Sequence, residues 1–589
     1  LLARLRSTPR WDVLVIGGGA TGLGCAVDAA ARGYATLLLE AHDFAKGTSS
    51  RSTKLIHGGV RYLAQGRLGL VREALEERAI LLANAPHLVH PQRFVVPVYR
   101  QWDRLVLGVG LTAYDWLAGG RSLGASRLLS ARDTVAALPG VRQEGLVGGI
   151  AYMDARFDDA RLAITLMRSV FDLGGLAINY LPVTALRHEA GRVAGVDAHN
   201  AESSERFSIA ARVIINAGGV WADTLRQLDE RQAPAQLAPS QGAHLVLDRD
   251  FLPTDSALLI PHTPDGRVLF AIPWKGKVLL GTTDTPRTDL PLEPRPLAGE
   301  IDFILETAGR YLARPPRRED VRSAFAGLRP LIGSGQDGAK GGTTAALSRE
   351  HLIQVSRQGL VSVAGGKWTT YRRMGEQIVD TAIPIGGLPP RPCRTRELQL
   401  HGHPGAGCED VFGTDRAQVD NLPGAGKQIH PALTLTEAEV RHAIRHEQAR
   451  SVEDLLARRH RALFIDARSA RDAAPAVAAL LAEELGLDAN QAVEQTETFQ
   501  RLTAAQDPVK HPCMCMIMDA ALPARHAHHG VDCRVDLVQT AENRIDGFTR
   551  RGLACSDQSC QIGRVVLPKF HDALVHTSMI EGEEDHADL

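Results

Sequence analysis

The chain has 589 residues, enough for two or three domains with cores of their own. Lys plus Arg (67) nearly balance Asp plus Glu (68), so no global field draws in nucleic acid. Eight cysteines are too few for a disulfide scaffold and fit a reducing compartment. The opening LLARLRSTPRWDV lacks an apolar core long enough for a signal peptide, and no segment offers the ~20 apolar residues that span a bilayer.

The first informative element is WDVLVIGGGATG, a β-branched run leading into Gly17, Gly19 and Gly22. Glycines there permit a tight turn and a close backbone approach to a pyrophosphate, which rests on the positive end of the next helix. A second strand, YATLLLE, ends on Glu40, whose carboxylate can accept hydrogen bonds from ribose hydroxyls. Strand, turn, helix and acid at this spacing predict a dinucleotide site for FAD or NAD. A hydroxyl-rich run follows, with Thr48, Ser49 and Ser50 placed to bond the pyrophosphate and ring edge and Lys54 to reach the pyrophosphate. His57 then precedes a double glycine that lets backbone lie against a flat isoalloxazine.

Residues 102–117, WDRLVLGVGLTAYDWL, would form a helix with a narrow polar stripe of Gln101, Arg104, Gly108, Thr112 and Asp115. Trp102, Leu105, Val106, Val109, Tyr114, Trp116 and Leu117 would cover the remainder. The composition suits either a helix lying in a lipid headgroup region, with arginines on anionic lipid, or an ordinary buried helix. Two later segments, RVIINAGGVWAD (212–223) and GLVSVAGGKWTTYRRMGEQIVD (359–380), repeat the pattern of strand, Gly-Gly turn and helix. They bring Ala217, Gly218, Gly366, Lys367 and Thr369 to the cofactor. A nucleotide domain assembled from distant pieces is more typical of FAD proteins than of NAD dehydrogenases. Between the pieces, GAHLVLD, SALLIP, RVLFAIPW and KVLLGTTD read as an antiparallel sheet roofing a substrate pocket.

The expected fold is α/β: a Rossmann-type FAD-binding domain of discontinuous segments, an antiparallel β-rich substrate domain and an α-helical C-terminal domain. Residues 10–90, 151–230 and 346–385 are the FAD-binding segments, 91–150 a membrane-contact and cap region, and 231–345 the substrate domain. Residues 386–509 are the helical C-terminal domain, opened by a capping box of Thr436 and Glu439. GAGK, ending at Lys427, lacks the leading Gly and following Ser or Thr of a P-loop. The tail 510–589 holds Cys513, Cys515, Cys533, Cys555 and Cys560 beside His526, His528 and His529, without paired C-x-x-C spacing, so no metal site is expected.

GGGATGLGCAVDAAARGY, GTSSRSTKLIHGGVRYL, INAGGVWAD, IPWKGKVLLGTTD, GLRPL and AGGKWTTYR, in that order, resemble the FAD-dependent glycerol-3-phosphate dehydrogenase family over about residues 10–500. The resemblance implies that Arg61, Arg329 and Lys367 clamp the phosphate and hydroxyls of glycerol 3-phosphate, with Tyr62 and Thr370 assisting. A small dianion needs such fixed cations with multidentate donors. Oxidation of its secondary alcohol needs a hydride acceptor and a base for the hydroxyl proton. His57 and His244 are the candidate bases, or a guanidinium such as that of Arg329 stabilises the alkoxide. Asp284 would position a ribityl hydroxyl or cap a turn. The resemblance further implies a membrane quinone as final acceptor and peripheral attachment, on the cytoplasmic side of the cell membrane or at the mitochondrial inner membrane; it leaves a homodimer open. The alternatives are an oxygen-using glycerol-3-phosphate oxidase, an amine or 2-hydroxy acid oxidase, or a flavin-binding protein without turnover.

Overall fold

A computed structural model describes residues 1–58, 67–333, 351–405, 408 and 410–507, without the side chains of 104–107, 109, 112, 113 and 116. Arg61, Tyr62 and the Cys- and His-bearing tail therefore lie outside the described residues. Among the described residues the strands form two sheets.

The first sheet is parallel at its centre. Trp11–Ile16 lies between Arg206–Asn216 and Thr36–Leu39. Val361–Gly365 continues the sheet on one side and Leu176–Ile178 on the other, all parallel. Val13, Leu14 and Val15 are fully buried, as expected for strands covered on both faces. Helices Ala20–Ala31 and Tyr371–Ile385 cross tightly over one face because glycines meet there: a Cβ on Gly375 would stand 2.6 Å from the Gly24 carbonyl. The first and third glycine-bearing segments, about 350 residues apart in the chain, are thereby locked into one body.

The second sheet is the roof. Ser240–Asp248 runs antiparallel to both Lys277–Gly281 and Ser323–Arg329. Leu269–Trp274 and Ala257–Ile260 extend it, and the sheet then takes in Val89–Val98, Gly148–Phe157 and Leu55–Ile56. These last three fall outside the 231–345 stretch read from sequence as the substrate domain. Their partners are distant in the chain, so local patterning could not assign them to a sheet.

Helix Gln101–Ala118 forms where expected. Tyr114 departs from the expected lipid-facing set: it is buried with Leu111 and Ala118. Its hydroxyl accepts from the Gly58 amide (3.1 Å) and donates to Asp154 Oδ2 (3.2 Å), a polar anchor that turns the ring inward. Trp102 remains 70% exposed at the other end. No helix among the described residues is long and apolar enough to cross a membrane.

The C-terminal region is helical, with Glu437–His446 opened by the Thr436 and Glu439 capping box, then Ala467–Leu485 and Ala489–Ala504. Its Leu456, Phe464 and Val477 share one apolar cluster with Phe325 and Trp274 of the roof.

Candidate active site

A cleft of about 860 Å³ lies between the first sheet and the roof. Its floor is built from backbone. Gly17 sits at φ +112°, and a Cβ there would stand 2.5 Å from the Ala217 carbonyl; one on Gly22 would stand 1.9 Å from the Gly17 carbonyl. Only glycine allows this crowding, which aims the first turn of helix Ala20–Ala31 into the cleft. Gly19 caps that helix with no side-chain hydrogen bond. The dipole and the first-turn amides beyond that of Ala20 thus remain available to an anion. The loop after Glu40 returns to this turn, with Ser49 Oγ accepting from the Ala20 amide (2.9 Å). Glu40 accepts from the amides of Gly18 (2.5 Å) and His42 (2.9 Å). Burial raises its carboxyl above the usual range against these amides. Trp368, on the third segment, donates from its indole to the Ser49 carbonyl (2.8 Å).

The roof contributes charge. Arg329 Nη2 donates to Thr282 Oγ1 (3.0 Å) and the Thr283 carbonyl (2.9 Å), while Nη1 reaches Asp284 Oδ1 (3.1 Å). The guanidinium occupies the space a side chain at Gly242 would need: a Cβ there would meet Nη2 at 2.2 Å. On the other side of Asp284, Arg267 Nη1 approaches Oδ2 at 3.3 Å. His244 is buried, with Nε2 3.0 Å from Thr53 Oγ1 and its ring stacked on Phe325 at 5.1 Å. Burial, with Lys54 and Arg329 nearby, holds this imidazole well below its usual pKa, hence neutral.

Of the residues singled out in the sequence, Gly17, Gly19, Glu40, Thr48, Ser49, His57, Ala217 and Gly218 line the cleft, as do His244, Arg329, Gly366, Lys367 and Thr369. Five others do not. Gly22 acts beneath the surface, by letting helix and turn touch. Ser50 is buried, and its carbonyl accepts from Lys54 Nζ (3.0 Å) and Arg461 Nη2 (2.6 Å). Lys54 is turned away from the pyrophosphate position assigned to it: its Nζ is buried against Asp159 Oδ2 at 2.7 Å. Burial pulls its pKa down to about 7, with Asp159 opposing. Asp284, expected to position a ribityl hydroxyl or cap a turn, is 3% exposed and pairs with two arginines, Arg267 and Arg329. Thr370 closes the 3₁₀ turn before helix Tyr371–Ile385.

Sequence reasoning missed Arg267, Lys46 and Trp368 on the cleft wall. Arg267 follows Gly266, at φ +73°, in a hairpin connection. The turn was legible, but not the sheet that aims its arginine.

The fit to a flavin dinucleotide rests on the Cβ-forbidden cradle, the open helix end and the acid beyond it. Comparisons with known proteins agree. A family model described as FAD dependent oxidoreductase matches residues 12–372, and one described as the C-terminal domain of alpha-glycerophosphate oxidase matches 388–492. The mitochondrial glycerol-3-phosphate dehydrogenase of Macaca fascicularis is 37% identical over 543 residues, 85% of this chain and 74% of that protein. The mitochondrial enzyme of Saccharomyces cerevisiae is 40% identical over 440 residues, 68% of each chain. A crystal structure of glycerol-3-phosphate dehydrogenase from Bacillus halodurans, complexed with FAD, superposes with a TM-score of 0.69 at 30% identity, over 86% of this chain and 97% of that one.

Proposed function

The chain belongs to the FAD-dependent glycerol-3-phosphate dehydrogenase family, and from that premise we propose how its cleft works: it oxidises sn-glycerol 3-phosphate to dihydroxyacetone phosphate. FAD, when bound, supplies the two-electron acceptor for the hydride that leaves the central carbon. The protein's task is to present that carbon and remove the hydroxyl proton. The phosphate dianion docks on Arg329, whose forked hydrogen bonds to Thr282, Thr283 and Asp284 fix the guanidinium plane before substrate arrives. Lys367, on the floor's third glycine turn, supplies a second cation. Arg61 and Tyr62 complete the clamp in this reading, and Thr370 supports it from behind. The proton passes to His57 or His244, both on the cleft wall. His244 is neutral and so able to accept a proton, although the burial and nearby cations that depress its pKa make it a weak base.

The observation that carries this reading is the pairing of opposite walls. A fixed guanidinium faces the same space as a glycine cradle, so anionic substrate and dinucleotide meet in one cleft. Electrons then leave to a membrane quinone. Exposed Trp102 on helix Gln101–Ala118 supports peripheral contact with an anionic membrane surface.

Anaerobic addition of glycerol 3-phosphate to the yellow holoenzyme tests the reaction. The flavin absorbance should bleach, and glycerol or glycine should leave it unchanged. An unbleached spectrum would refute the substrate assignment. Oxygen uptake matching turnover without added acceptor would replace the quinone by oxygen.

A further inference from the structure

Residues 287–297 link roof strand Thr285–Pro286 to helix Ala298–Gly309 without regular secondary structure, and no step above uses them. Both ends of this strap are tied to the roof by one buried side chain. Gln241 Nε2 donates to the Arg295 carbonyl (2.8 Å), and Gln241 Oε1 accepts from Arg287 Nη1 (2.8 Å). The middle of the strap reaches across to the floor. Glu293 Oε2 meets Arg51 Nη2 at 2.6 Å and its Oε1 meets Lys46 Nζ at 2.5 Å. The Leu290 carbonyl accepts from the Trp221 indole (3.4 Å), and Leu292 lines the cleft. Arg51, Lys46 and Trp221 are cleft-wall residues themselves.

The cations gripped by Glu293 belong to the loop that begins at Glu40. That loop is braced from the opposite side by the C-terminal region: Glu453 pairs with Lys46, and Arg458 and Arg459 pair with Asp43. The loop is therefore fixed, and the strap is the part attached through side chains at its middle. Arg51 is 2% exposed and Lys46 10%, so their charges are poorly solvated and the pairs to Glu293 exceed ordinary surface ion pairs.

We propose that Glu293 is the latch of the FAD site: its paired contacts to Lys46 and Arg51 hold residues 290–296 closed over the cofactor cleft, and FAD exchanges only when both break. This rests on the flavin reading above. Glu293 is a positioning residue and touches no substrate in this account. Lys46 keeps Glu453 as a partner when Glu293 is neutralised, which favours a folded variant.

The test uses purified holoenzyme and follows free-flavin fluorescence after dilution into buffer without FAD. E293Q should release FAD about tenfold faster than the unaltered protein, with kcat at saturating FAD retained and any fall in apoprotein melting too small to account for the release. K46M, the second arm, should also speed release, and the double variant should release no faster than the faster single one, because both remove the same contact. Unchanged release in E293Q, or additive effects in the double variant, would overturn the latch. A fall in apoprotein melting that accounts for the release would reduce Glu293 to a fold determinant and also overturn it. An unaltered protein that carries no FAD would instead refute the flavin reading, so the two failures are distinguishable.

Discussion

The floor and roof of the cleft are built on opposite principles. The floor draws its first wall from residues 17–49, little more than one strand–helix–strand unit, and works by leaving side chains out. At Gly17 and Gly22 a single added carbon collides with backbone. The roof gathers Gln241, His244, Thr282, Asp284 and Arg329 from three separate stretches of chain and works by filling space with charge. A backbone cradle tolerates almost no change. A side-chain network can be altered in steps, each with its own chemical signature. The two walls should therefore fail separately.

The largest separation is expected at Arg329. R329A removes the fixed guanidinium while every glycine of the floor stays in place. Truncating one partner of a desolvated, hydrogen-bonded charge pair costs about 2–5 kcal/mol. We expect kcat/KM for glycerol 3-phosphate to fall by roughly 10²–10³, most of it as a raised KM, with the flavin-to-protein absorbance ratio unchanged. Loss of FAD together with substrate binding would show that the walls are not independent.

The histidines sharpen the comparison next. His57 directly follows roof strand Leu55–Ile56, at the far edge of that sheet, and His244 lies within roof strand Ser240–Asp248. A positioned general base contributes about 10²–10⁴ in rate. H57N and H244N, each mixed anaerobically with saturating substrate in a stopped-flow instrument, should differ: the base lowers the flavin-reduction rate by that order, while the other shifts only apparent affinity. If H244N is the slow one, the base sits on the strand that pairs with the one bearing Arg329; if H57N is, it sits at the far edge of the same sheet. Undiminished reduction in both variants would take the proton away from histidine.

What was legible in the sequence follows the same division. The floor was readable because its rules are local: Gly17, Gly19 and Glu40 lie within one strand–turn–helix–strand unit, and all three line the cleft. The return of distant segments was readable too, since each repeats a strand ending in glycines at a helix start. Roof residues were nameable when a motif held them, as with Arg329 and His244. Their partners were not, because Asp284 becomes an arginine-positioning group only once Ser240–Asp248, Ser323–Arg329 and the 282–284 turn are brought together. Lys54 shows the reverse failure. A lysine in a polar run beside a phosphate site reads as a phosphate ligand, yet Asp159, from helix Asp159–Asp172, draws it into the interior.

A residue remote from both walls gives the smallest effect and the cleanest control. His401 bridges Asp172 (Nδ1, 2.7 Å) and Asp415 (Nε2, 2.9 Å), joining helix Asp159–Asp172 to the C-terminal region. Burial lowers its pKa, but the two carboxylates outweigh burial and raise it to about 9 from an ordinary 6.5. The folded protein thus holds a proton that the unfolded chain releases more easily. The resulting stabilisation is fully present below pH 6.5 and is lost as pH rises through 9. H401Q, which cannot titrate, should melt lower than the unaltered protein at pH 6, by an amount worth about 1–3 kcal/mol. The gap should narrow steadily to pH 9.5, while kcat/KM stays equal in the two proteins across that range. A gap independent of pH would mean that shape, not charge, gives His401 its hold on the C-terminal region. A pH-dependent difference in kcat/KM would tie this remote pair to the cleft and contradict the independence on which the contrast of floor and roof depends.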